Sequence, residues 1–278
     1  MSTARKLRRS GPHVEVRAPL ERPALIHAGL IPVLSIVYGL GTALFLALEP
    51  NQAWVLLLTA GLVALGCDGI MRSYPGAHFR DVTDSAPYLV LPVLLALGSS
   101  LFLEETATGY WIWAAAAAAA LLMAGVLFSQ YVSVNPLAPA YPAARLYLIV
   151  VTYLTAFAFY AVVYNYSVDL LPAAFAVGLA STLLAVELLR EAEVDPWRVL
   201  VYGATIGLVV AQARWALHFL PLEGFLAAVF LMLGFYVCTG IIHHHLTSRL
   251  TWREVAEFAA VTLIGLLVIV IGRIVGGG

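Results

Sequence analysis

Lysine is nearly missing from this chain: Lys6 is the only one in 278 residues. No apolar run therefore contains an amine that could form a retinal-type Schiff base, which excludes that class of pigment protein. Charge of either sign is scarce. Asp, Glu, Lys and Arg make up 11% of the residues, against roughly 25% in a soluble domain. The net charge is −1, so there is no basic excess of the kind that binds nucleic acid, and no nucleic-acid partner is expected. There are two cysteines, Cys67 and Cys238. Both lie in apolar runs without CxxC spacing, which argues against a disulfide framework and leaves small buried thiols. No glycine-rich phosphate loop, nucleophile elbow or HExxH pair occurs.

What the chain has in abundance is apolar side chains, 62% of the total, with a mean hydropathy of +0.92. They fall into nine runs, at 24–48, 53–71, 86–103, 110–131, 146–166, 170–189, 199–220, 224–246 and 255–275. A helix rising about 1.5 Å per residue needs about 20 residues to cross the hydrocarbon core. Lipid offers backbone N–H and C=O groups no partner, so such runs must be helical. The third run is the shortest and weakest, because it holds Pro87 and Pro92. The first is too long for a cleavable signal segment, whose apolar part is about 7–15 residues. The expected fold is an all-α polytopic transmembrane bundle of about nine helices, with eight as the alternative. Residues 23–278 form its single domain, behind a basic, flexible tail at 1–22. No segment between runs is long enough for a soluble domain.

Arginine placement orients the bundle. Six basic residues lie in the tail: Arg5, Lys6, Arg8, Arg9, Arg17 and Arg22. With the N-terminus in the cytoplasm and strict alternation, Arg72, Arg80, Arg145, Arg190, Arg198, Arg249 and Arg253 also fall inside. The loops on the other face carry Glu49, Glu104, Glu105, Asp169 and Glu223 and no basic residue. Cytoplasmic loops are enriched in Lys and Arg, so this partition predicts N-inside and, for nine helices, C-outside.

The organising stretch is 199–247, two membrane-length runs joined by Pro221-Leu222-Glu223-Gly224. Gly203, Gly207 and Ala211 form a small-xxx-small stripe that lets helix backbones approach closely. Arg214 and His218 continue that stripe. Ionisable groups at membrane depth are costly and so are candidate functional residues. Two groups emerge. On the inner side, Asp68 and Arg72 are four apart on one helix, and Glu187 and Arg190 three apart on another, each pair able to interact. His243, His244 and His245 end the eighth run at the same level. Consecutive helical residues fan out by about 100° each, so three in a row do not converge on one ion, and no metal is predicted. His78, in the inner loop after the second run, could join one of them in space. On the outer side Arg214 lies roughly 9 Å of helix short of the end of its run. It can snorkel outward, pair with Glu223, or form an anion-accepting site with His218. No cofactor is predicted; a pigment or haem on His218 or His27 would rest on a single histidine per helix. The run of seven alanines at 114–120 predicts a helix tightly surrounded by others. The triplet Asn165-Tyr166-Ser167 matches a glycosylation acceptor in an outer loop.

The succession Arg214-Trp215-Ala216-Leu217-His218-Phe219-Leu220-Pro221, Gly234-Phe235-Tyr236, His243-His244-His245 and Leu250-Thr251-Trp252-Arg253 resembles a pattern in uncharacterised bacterial multi-pass membrane proteins. The resemblance covers roughly the last 70 residues. It implies a bacterial plasma-membrane location and assigns no catalytic residue. The reading that follows is a non-enzymatic membrane component, either a small transporter or an accessory subunit. Its partners would be the bilayer and other membrane subunits or further copies of itself. The alternative is a membrane-embedded enzyme acting on a lipid-linked substrate at the cytoplasmic face.

Overall fold

The computed structural model describes residues 29–48, 52–74, 82–166, 169–192, 195–219 and 224–247, and separate residues between 256 and 271. Eight long helices are present among them: α1 (Leu30–Ala47), α2 (Ala53–Arg72), α3 (Val82–Thr106), α4 (Trp111–Ser133), α5 (Tyr141–Asn165), α6 (Leu170–Leu189), α7 (Pro196–Leu217) and α8 (Gly224–Leu246). A short 3-10 turn, Arg190–Ala192, extends α6. All eight are long and apolar enough to cross a membrane, and no strand occurs among the described residues. Of the ninth run, residues 259–265 are helical. Residues 1–28, with the basic tail and His27, lie outside the described residues, as does His78.

The third run departs from expectation. Rather than the weakest span, it is a 25-residue helix with Pro87 and Pro92 inside it. Hydrocarbon leaves no alternative to a helix, so the prolines are absorbed, and the bond that Pro92 lacks is met by a neighbour. Pro92 has no N–H for the carbonyl of Tyr88, and the thiol of Cys67 on α2 donates to that oxygen at 3.6 Å. Elsewhere the hydroxyls of Ser35, Thr59, Thr152, Thr155, Ser181 and Thr182 each donate to the carbonyl four residues earlier, which satisfies them without a second helix.

The centre of the bundle is the pair α3 and α5. Helices α1, α2 and α4 pack to one side of it, and α6, α7 and α8 to the other. Helix α5 is the most buried of the eight and touches α3, α4, α6 and α8. The outward faces are unbroken apolar surface: Val33, Ile36, Leu40 and Leu44 on α1, and Leu57, Leu58, Leu62 and Leu65 on α2. Water would not tolerate so much contiguous exposed apolar area, and lipid does.

The α6–α7 seam is the tightest. A Cβ on Gly203 would stand 3.2 Å from the carbonyl oxygen of Thr182, and one on Gly207 would overlap the Thr182 hydroxyl and the Gly178 carbonyl oxygen. The small-residue stripe is thus the face on which α7 meets α6. The alanine run behaves differently from expectation. Ala116 and Ala119 are buried, but Ala114, Ala117 and Ala118 are exposed. Helix α4 lies at the rim and packs only one alanine face, against Gly39 of α1. The turn before it uses Gly109 at φ +58°, a conformation open to glycine at no steric cost.

Candidate functional site

Two polar clusters sit at opposite ends of the bundle. The first gathers the ends of α2, α4 and α6 with the starts of α3 and α5, and is called the basic end here. Its heart is a triangle of Gln130 on α4, Glu187 on α6 and Arg190 just past α6. Arg190 Nη2 donates to Glu187 Oε1 at 2.9 Å and to Gln130 Oε1 at 3.0 Å; Gln130 Nε2 donates to Glu187 Oε1 at 3.0 Å. Arg145, in the first turn of α5, brings Nη1 to 3.9 Å from the same carboxylate oxygen. Glu187 is 1% exposed and Gln130 0%, so these groups have exchanged water for one another. Such an exchange is tolerated only when hydrogen bonds replace the lost hydration. The Arg190 guanidinium also lies 4.0 Å over the ring of Tyr88 on α3, a cation–π contact.

The other predicted inner pair is intact and separate. Arg72 Nε donates to Asp68 Oδ2 at 2.7 Å, the expected i,i+4 geometry. The buried Ser85 hydroxyl donates to Asp68 Oδ1 at 2.5 Å. Ser85 and Tyr88 are three apart on α3, so one face of that helix holds Asp68 from one side and Arg190 from the other. Helix α2 itself packs on α1, α3 and α4 rather than on α6 or α8. His243 and His244 are half-buried at the end of α8, with their rings edge to face, and His245 is exposed.

Three members of the basic-end cluster escape a scan for charged residues within apolar runs. Gln130 is uncharged. Tyr88 reads as an ordinary core aromatic. Arg145 opens its run, so it counts as a loop charge that orients the protein; it is in fact 6% exposed. The available signal was level: each stands near the same end of its run as Glu187.

At the opposite end Asn165 Nδ2 donates to Glu105 Oε2 at 3.0 Å, and the Tyr166 hydroxyl donates to Glu104 Oε2. Burial of its hydroxyl, followed by that bond and the two glutamate charges, raises the Tyr166 phenol above its usual 10.0. Arg214 does not snorkel to the surface. It is 5% exposed and lies 4.2 Å over the ring of Tyr164 on α5. An ionised group at the centre of the bilayer costs about 2.5–3.5 kcal/mol on insertion scales; the aromatic face and the nearby α7 C-terminus offset part of that. His218 caps α7 and is exposed, with its ring edge-on to Phe219. Arg214 and His218 thus share a helix face and not a hydrogen bond. Glu223 lies outside the described residues.

The chain belongs to the family described as protein of unknown function (DUF5656), whose profile matches residues 31–272. The match spans most of the chain, well beyond the C-terminal stretch on which the resemblance is visible by eye. Four of the seven histidines, the most conspicuous landmarks of the resemblance, lie after residue 213. No curated protein and no solved structure matches the chain.

Proposed function

We propose that this member of a family without an assigned activity is a non-enzymatic membrane component, a small transporter or the accessory subunit of a larger membrane complex. It sits in the bacterial plasma membrane with the basic end in the cytoplasm. The observation that carries this reading is the closed state of the basic-end cluster. Gln130 and Glu187 are fully buried, and the Gln130 amide and Glu187 Oε1 bond to each other and to Arg190. Catalytic carboxylates need a face toward substrate; this one faces three helices. The Asp68 carboxylate is likewise engaged, by Arg72 and Ser85. An enzyme acting on a lipid-linked substrate would want Asp68, Glu187 and a histidine on one cleft, and the packing of α2 away from α6 and α8 weighs against it.

The deciding experiment is native mass spectrometry of the protein drawn from its own membrane in a mild detergent. A reproducible second polypeptide supports the subunit reading. A lone chain carrying a defined small molecule supports the transporter. A lone chain that turns over a lipid-linked substrate overturns both. A reporter fused after Gly278 and active only in the cytoplasm would exclude nine spans with the N-terminus inside.

A further inference from the structure

Three buried hydrogen-bond donors meet at the end opposite the basic cluster. Arg214 Nε and Nη1 are out of contact with solvent and have no hydrogen-bond partner among the described residues, and the Tyr164 hydroxyl, equally buried, interacts with Arg214 itself. The guanidinium stacks on the ring of that same tyrosine, so the three donors belong to one small volume. Of the acids at this end, Glu105 accepts from Asn165 and Glu104 from Tyr166, and Asp169 lies exposed at the start of α6. No carboxylate among the described residues reaches Arg214. Buried polar groups are almost always satisfied, and a buried cation most of all. Donors in excess, one of them cationic, call for an acceptor-rich anion.

We infer that Arg214 and Tyr164 form a binding site for the oxyanion of a phosphate or carboxylate group. The planar guanidinium donates to two oxygens of such a group side by side, and the phenol supplies a third donor. The stacking contact holds the fork in place before the anion arrives. The site lies just under the surface. Arg214 is in the last turn of α7, and His218, four residues on and so on the same face, is exposed. Approach is therefore from that end of the bundle. The oxyanion belongs either to a lipid head group or to a soluble anion. This inference stands whether the protein is a subunit or a transporter.

The test uses the full chain in nanodiscs, in two arms. In the first the lipid is phosphatidylcholine alone, and inorganic phosphate is titrated while thermal unfolding is followed. In the second, phosphatidylglycerol is mixed in without added phosphate, and bound lipid is counted by native mass spectrometry. Stabilisation in the first arm identifies a soluble anion, and retained phosphatidylglycerol in the second identifies a head group. In the responding arm Arg214→Gln should weaken binding by about tenfold or more, as loss of a charge-assisted fork requires. Arg214→Lys keeps the charge and loses the fork, so a folded variant with weakened binding separates recognition from misfolding. Tyr164→Phe keeps the ring and should weaken binding several-fold. The inference is overturned if neither probe separates wild type from Arg214→Lys and Arg214→Gln. It is equally overturned if the Glu223→Gln variant binds a probe that wild type ignores, because Glu223 would then be the natural acceptor.

Discussion

Glu187 is the residue whose replacement separates a structural cluster from a functional one. Its Oε1 takes a charge-assisted bond from Arg190 and a bond from Gln130, with Arg145 Nη1 within 4 Å. A hydrogen bond to a charged group contributes about 1.5–3 kcal/mol, against about 0.5–1.5 for a neutral one. Glu187→Gln keeps the shape and the acceptor oxygen and removes the charge, so the difference predicts a loss of about 1–2 kcal/mol. Glu187→Ala removes the acceptor as well and leaves Arg190 and Arg145 facing an apolar gap. Breaking a buried pair from one side costs about 3–5 kcal/mol. Because Arg190 bonds the same oxygen, Glu187→Gln and Arg190→Gln should couple by about 1–2 kcal/mol in a double-mutant cycle. The assay is reversible unfolding in mixed detergent–dodecyl sulfate micelles, followed by the fluorescence of the six tryptophans. A Glu187→Gln protein as stable as wild type, or more so, would refute the reasoning. The charge would then be held against the interest of stability, as it is in a working site, and the enzyme reading would gain.

Other outcomes follow from the same contacts. Gly207→Ala should destabilise by about 1–3 kcal/mol through overpacking, because one obstacle is the Gly178 backbone and cannot rotate away. Gly61→Ala, with nothing within 4 Å, should be neutral or gain up to about 1 kcal/mol from helix propensity; equal effects at the two sites in the unfolding assay would contradict the tight α6–α7 seam. Cys67→Ala should cost about 1 kcal/mol by removing the donor to the Tyr88 carbonyl, and Cys67→Ser should recover most of it. Tyr166 has a raised pKa, so its bond to Glu104 stabilises the fold fully below pH 10 and fades as pH rises through the higher folded value. Tyr166→Phe should therefore differ from wild type at pH 8 and converge with it in strong alkali, as read from melting temperature.

The helices were largely legible because the membrane imposes them. A run of about 20 apolar residues has one way to satisfy its backbone in lipid, so eight of the nine runs reappear as long helices whose ends differ by a few residues. The same rule explains why the third run, the weakest expectation, is a full helix: proline is penalised by its missing bond, and hydrocarbon penalises every alternative more. The small-residue stripe on α7 was likewise readable, since only glycine and alanine permit so close an approach.

The sites were half legible. Asp68 with Arg72, and Glu187 with Arg190, pair within one helix, so their spacing alone announced them. Gln130, Arg145 and Tyr88 reach the cluster from three other helices, and Tyr164 meets Arg214 from fifty residues away. Sequence order says nothing about such meetings. Periodicity reports which residues share a face and hydropathy reports depth. Which faces meet is decided by packing: by the placement of α3 and α5 at the centre and by the clash-free seam between α6 and α7. The amino-acid sequence by itself therefore determined the helices, their number to within one and the level of each polar group. Only the tertiary structure decided which polar groups are neighbours, because that choice is made by the shapes of whole helix surfaces and not by any spacing along the chain.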